Sequence, residues 1–190
     1  SGDLEEGTRT ASSLSEKWFA AQEALDTVAQ EFAEFEFSPM DVAFKRRLLW
    51  DLTEPATAHF YEEFDAANML RTDELPVAEV AREFILAAGR AVTAWKAADR
   101  NARTKAEQNI VAGGEVLDPT ALKNLSTATS AMALALDEST PAPEAGLAWK
   151  RSTEALYRAN LAVPPSWMKK MEATEVVSRV LKALPSGSGE

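Results

Sequence analysis

The chain has 190 residues, 46% hydrophobic residues and a formal net charge of −10, values that suit one globular domain. It contains no cysteine, which excludes disulfides, thiolate zinc sites, iron–sulfur clusters and cysteine nucleophiles. The absence of cysteine also fits a reducing compartment. With the alanine-rich composition, it leads us to expect a bacterial, cytoplasmic protein.

The charge is distributed unevenly along the chain. Residues 1–74 have a net charge of −11 and residues 75–190 a net charge of +1. Because an acidic protein is repelled by the phosphate backbone at long range, we expect no duplex nucleic-acid partner. No apolar run approaches the roughly 18–20 residues of a transmembrane helix. Ser1-Gly2 resembles the remnant of a cleaved tag, so the chain is also compatible with a soluble domain cut from a longer or membrane-anchored protein.

Helix starts are marked by capping residues, several of them followed by proline. Residues 1–11 are polar, and we expect them to be disordered. Ser13 and Glu16 form a capping box that predicts the first helix start. Ser38-Pro39 and Asp118-Pro119 place a cap before a proline, which suits the first helical position. These signals and the spacing of apolar residues predict helices at about 13–35, 39–49, 54–71, 119–137, 142–161 and 166–184, the last with a possible division near 173–174.

The longest predicted helix covers about residues 76–110. On a helical wheel its apolar face consists of large side chains first and alanines later, so a neighbouring helix can approach closely at its second half. We expect Gly113-Gly114 to stop it, because glycine adopts the left-handed conformation that ends helices. A basic stripe lies on another face and consists of Arg82, Lys96, Arg100 and Arg103.

The sequence therefore predicts an all-α protein, a single helical bundle of six or seven helices around this long central helix. The helical domain is predicted to cover residues 12–184, followed by a flexible tail at 185–190. A division into two domains at Gly113-Gly114 is the alternative. No strand pattern is present.

Catalytic motifs are missing. His59 is the single histidine, and neither H-E-x-x-H nor a paired E-x-x-H pattern is present. Ala112-Gly113-Gly114-Glu115 lacks the lysine and hydroxyl residue of a phosphate-binding loop. We therefore expect no catalytic residues, no metal site and no cofactor, and a non-enzymatic protein rather than an enzyme.

The basic stripe and two tryptophans are the candidate partner-binding residues. The stripe suits an acidic partner, although it could equally pair with the acidic helices of the same chain. Trp50 and Trp167 lie beside helix breaks, whereas Trp18, Trp95 and Trp149 fit core stripes. Tryptophan is enriched at binding hot spots.

These features favour a non-enzymatic protein-interaction domain with an adaptor or regulatory role. Binding of a protein partner or self-association is expected. The alternative is a small-molecule-binding or hydrolytic helical protein that uses an acidic, aromatic-lined cleft, since glycoside hydrolysis needs only two carboxylates on facing walls. That cleft would lie near Glu36, Asp41 and Trp50, where the following residues crowd the junction of the first three helices: Glu31, Glu34, Asp51, Glu54, Phe35 and Phe37.

Overall fold

The computed structural model describes residues 2–184, except for the side chain of Ser12. Over these residues the protein is all-α, as predicted, and its only β pairing is a single antiparallel bridge between Ile110 and Val116. The predicted tail at 185–190 lies outside the described residues. The seven α-helices within residues 2–184 are α1 (Gly2–Glu36), α2 (Pro55–Met69), α3 (Ala78–Glu107), α4 (Pro119–Leu136), α5 (Ala142–Arg158), α6 (Pro165–Glu172) and α7 (Glu175–Lys182).

Most predicted helices are present, but the first two predicted helices differ from the structure. The helix expected at 39–49 is a π-helical turn, Asp41–Lys45, followed by a 3₁₀ turn, Arg47–Trp50. The last helical region is divided as the sequence suggested, because Thr174 caps a new helix by accepting a hydrogen bond from the Val177 N–H. The first helix begins at Gly2 and not at Ser13, so it includes the segment that was expected to be disordered.

The residues group into two compact units, the first formed by residues 1–33 and 51–101 and the second by residues 34–50 and 102–190. The predicted single domain remains a prediction. None of the three boundaries between the units falls at Gly113-Gly114, which lies inside the second unit.

The first unit is a packed group of three helical segments from α1, α2 and α3. Its core joins Trp18 and Leu25 to Phe84 and to a series of α3 alanines, as the long apolar stripe predicted. The indole N–H of Trp95 donates to a Glu31 carboxylate oxygen at 2.6 Å. An aromatic cluster adds to this core and consists of Phe32, Phe60, Tyr61, Phe64 and Trp95.

The second unit is built on the packing of α4 against α5. Ser152 on α5 is fully buried and its hydroxyl donates to the Ala128 carbonyl of α4 at 2.7 Å. On another side of α5, Gly146 is buried against the end of α7, where an added Cβ would lie 3.0 Å from Leu184 Cδ2. Small or hydroxyl-bearing side chains therefore let both neighbouring helices approach α5 closely.

Two helices, α3 and α5, end at asparagines within the second unit. Asn109 follows α3 with φ +56°, and Asn160 follows α5 with φ +57°. Ile110 N–H donates to the Lys105 carbonyl, and Leu161 N–H donates to the Leu156 carbonyl, both at 2.8 Å. This 6→1 hydrogen bond after a left-handed residue defines the Schellman motif. The predicted stop of the long helix at Gly113-Gly114 was therefore several residues too late.

Candidate functional site

The candidate site is a cavity of about 340 Å³ within the second unit. Its volume lies in the range of roughly 300–1,000 Å³ that is usual for ligand pockets. The lining residues come from several segments that are distant in sequence. The apolar part of its lining consists of Phe44, Ala106, Ile110, Val111, Leu117, Leu125 and Leu161.

The two Schellman motifs explain how the chain forms this cavity. Each left-handed asparagine reverses the backbone and is followed directly by an apolar residue, Ile110 or Leu161, that lines the cavity. The loop after α3 is closed by the Ile110–Val116 bridge and by a hydrogen bond from the Leu117 N–H to the Asn109 carbonyl at 3.2 Å. This closure fixes Leu117 in the cavity wall. Asn109 is thus both a helix terminator and a lining residue.

The charged residues that line the cavity are predominantly basic. Lys45, Arg47 and Arg103 line it together with one carboxylate, that of Glu107. The guanidinium of Arg47 donates to the Ala43 carbonyl at 3.0 Å and lies 5.1 Å from the Trp50 ring centroid. Three cations and one anion give a local excess of positive charge on a chain whose net charge is −10. An apolar cavity with such an edge suits an apolar group next to a carboxylate.

Of the predicted basic stripe, one residue lines the cavity and the other three lie elsewhere on α3. Arg82, Lys96, Arg100 and Arg103 are all exposed, so the prediction that they lie off the core face is confirmed. Arg82 precedes Lys96 by fourteen residues, about 21 Å along the helix axis. Of the four, only Arg103 lines the cavity. The stripe as a whole is therefore not one compact site.

The two candidate tryptophans are partly exposed, and both contact other residues of the second unit. The Trp50 indole N–H donates to the Val42 carbonyl at 2.8 Å, which fixes the connection between α1 and α2. Trp167 packs on Phe35 at 5.5 Å, and Lys170 Nζ lies 4.2 Å from its ring centroid. Both rings therefore have structural roles. Their binding of a partner remains a prediction.

The carboxylates of the predicted acidic cleft have separate partners. Glu36 pairs with Lys170 at 3.6 Å, and Asp41 pairs with Arg46 at 3.1 Å. None of the four carboxylates lines the 340 Å³ cavity. Asp51 Oδ1 accepts hydrogen bonds from Thr53, and Glu54 Oε1 accepts one from Asn101 at 2.7 Å. Each of the four carboxylates therefore has its own contact, which gives no support to a shared hydrolytic site.

Among residues 2–184, the one titratable group with a resolved pKa shift lies away from the cavity. Hydrogen bonds from the Ser139 hydroxyl and then from its backbone N–H lower the pKa of Asp137 below the ordinary 3.8, but Asp137 is exposed in a turn and does not line the cavity. His59 is exposed on α2. Within residues 2–184, no three histidine or carboxylate side chains are grouped so that they could hold a metal ion. None of the described helices combines the length and the apolarity needed to cross a membrane.

The sequence analysis did not predict most of the residues that line the cavity. Of the predicted site residues, only Arg103 lines the cavity. Trp50 does not line it, but its ring packs against the cavity-lining Arg47. The available signal was an asparagine followed by a large apolar residue just after a helix, at Asn109-Ile110 and at Asn160-Leu161. Comparison of the chain with protein-family models, with curated proteins and with solved structures finds no match.

Proposed function

We propose that this protein is a non-enzymatic binding module that takes an apolar, acidic segment of a partner protein into the cavity of the second unit. The observation that carries the proposal is the cavity itself, with apolar walls and a basic edge. A partner side chain that fills it would gain about 1.5–3 kcal/mol from burial. A few anchoring residues of this kind commonly dominate the energy of an interface.

Charge supports an acidic partner. A carboxylate beside the anchoring side chain would meet Lys45, Arg47 and Arg103. Such complementarity raises the association rate and selects against basic partners more than it raises affinity. Binding is therefore expected to weaken as the salt concentration rises, since these interactions lie near solvent.

The surroundings of the cavity favour a partner larger than a small molecule. Val116 is 69% exposed and neighbours the cavity-lining Leu117 in the same loop. Val116 is thus an exposed apolar side chain in the loop that carries Leu117, and it offers a peptide a further apolar contact. An amphipathic small carboxylate is the second candidate, because the volume of about 340 Å³ also suits such a ligand.

The test selects peptides from a random phage-displayed library on the whole chain and measures their affinity by fluorescence polarisation. We expect enriched peptides with a large apolar residue beside aspartate or glutamate. Arg103→Glu should weaken their binding about tenfold, equal to about 1.4 kcal/mol. Arg100→Glu is the matched control, since it reverses an exposed arginine one turn away that does not line the cavity.

A second pair of variants tests the cavity itself. Thr129→Trp places a large ring in the cavity, whereas Lys123→Trp adds the same ring to an exposed position of α4 outside it. Peptide binding lost only in the Thr129 variant would support the proposal, provided circular dichroism shows both variants folded. Equal binding by all four variants would overturn it. Binding of dodecanoate, sensitive to the same two cavity variants, without any enriched peptide would favour the small-molecule candidate.

A further inference from the structure

A second groove of the second unit lies along α4 and α5. Its space is about 540 Å³, and it is separate in its lining from the cavity described above. Small side chains line it, namely Ser130 and Ala131 of α4 and Ala148 of α5. Two leucines lie beside them, Leu134, which is 43% exposed, and Leu147, which is 62% exposed. Large apolar side chains exposed next to small ones are suited to helix–helix packing.

The charges of the groove identify the occupant. Glu144, Leu147, Ala148 and Arg151 are spaced at i, i+3, i+4 and i+7 and share one face of α5. If two such faces pack antiparallel, a twofold axis between positions 147 and 148 places Glu144 of each copy opposite Arg151 of the other. The same axis places each Leu147 opposite Ala148, a large side chain against a small one.

We infer that the α4–α5 groove binds the same groove of a second copy of this chain, through antiparallel packing of the two α5 helices. The contact is self-complementary, as a twofold interface requires, because acidic and basic residues occupy the two ends of one apolar stripe. A partner with a uniformly charged helix would meet a like charge at one end. This inference is independent of the proposed partner-binding cavity, since the two sites share no lining residue.

The small area that this dimer contact would bury sets its expected affinity. One helix pair with two exposed leucines per copy buries less area than the roughly 800 Å² per partner of a standard stable interface. We therefore expect a weak dimer, with a dissociation constant of the order of 10–100 µM. At low protein concentration the chain would be a monomer of 20.7 kDa.

The test is sedimentation velocity of the whole chain from about 5 to about 500 µM at low salt. The wild type should move from 20.7 kDa towards twice that mass as the concentration rises. Glu144→Arg should remain monomeric because the new arginine would lie opposite Arg151 of the second copy. Arg151→Glu should remain monomeric because the new glutamate would lie opposite Glu144 of the second copy. The double variant Glu144→Arg/Arg151→Glu restores both pairs in reversed order and should dimerise again. Lys150→Glu, an exposed charge reversal on another side of α5, should dimerise like the wild type.

Leu147→Asp tests the apolar part of the same contact and should also remain monomeric. Circular dichroism should show that every variant keeps the wild-type helix content. A wild type that stays monomeric at 500 µM would overturn the inference. So would a dimer that persists in Leu147→Asp, or a double variant that fails to recover, because either result requires a different interface.

Discussion

Replacing Gly89 by alanine is expected to stabilise the first unit by about 0.9 kcal/mol. Gly89 lies inside α3, where glycine costs about 0.8–1.0 kcal/mol relative to alanine because it loses more backbone freedom on folding. A Cβ added at this position would meet nothing within 4 Å, so no clash reduces the gain. For a urea dependence of about 2 kcal/mol/M, the midpoint of unfolding should rise by roughly 0.4 M.

Urea unfolding followed by circular dichroism measures this change, and Gly146→Ala is the matched comparison. An alanine at Gly146 gains the same helix propensity, but its Cβ lies 3.0 Å from Leu184 Cδ2 and this side chain must shift. The stabilisation at Gly146 should therefore be smaller than at Gly89. A Gly89→Ala variant that is no more stable than the wild type would refute the reasoning, since it would mean that the outer face of α3 is not open at this position.

Three further predictions concern the second unit. Asn109→Ala should destabilise it by about 1 kcal/mol, because alanine is strained at φ +56°, whereas Asn109→Gly should keep the wild-type stability in the same urea titration. Ser152→Ala should cost about 1 kcal/mol in thermal unfolding, because it removes the buried hydrogen bond to the Ala128 carbonyl. The Asp137 carboxylate should titrate below 3.8 in carboxyl NMR and move towards the ordinary pKa in Ser139→Ala. Because the folded-state pKa is lowered, the stabilisation from this turn is present above the ordinary pKa and is lost as the pH falls through the lowered one.

The fold class followed from local signals in the sequence. The apolar repeat of α3 correctly placed Phe84, Ala91 and Trp95 in the core, because burial of one helix face requires that period. The cap at Asp118 is also confirmed, since its carboxylate accepts from the Ala121 N–H at 2.8 Å. Such features depend on residues within one or two turns of each other.

The cavity could not be predicted in the same way. Its walls combine Phe44, Ile110, Leu125 and Leu161, which only the packing of distant segments brings together. Helix ends were also misplaced where asparagine and not glycine adopted the left-handed conformation, as at Asn109. Charge patterns also depend on packing, since the sequence did not indicate that Asp41 pairs with Arg46 at 3.1 Å; the acidic cleft remains a prediction.

The first turns of α1 have a consequence for how the chain opens. All side chains described between residues 2 and 11 are exposed, and Leu4 is 80% exposed. The hydroxyls of Thr8 and Thr10 donate only to carbonyls one turn back in the same helix. A helical segment whose described side chains are all exposed gains little stability from tertiary packing and is marginal in water. Its amide hydrogens should exchange with solvent orders of magnitude faster than those near Leu25, and trypsin should cut after Arg9 while the folded core stays intact.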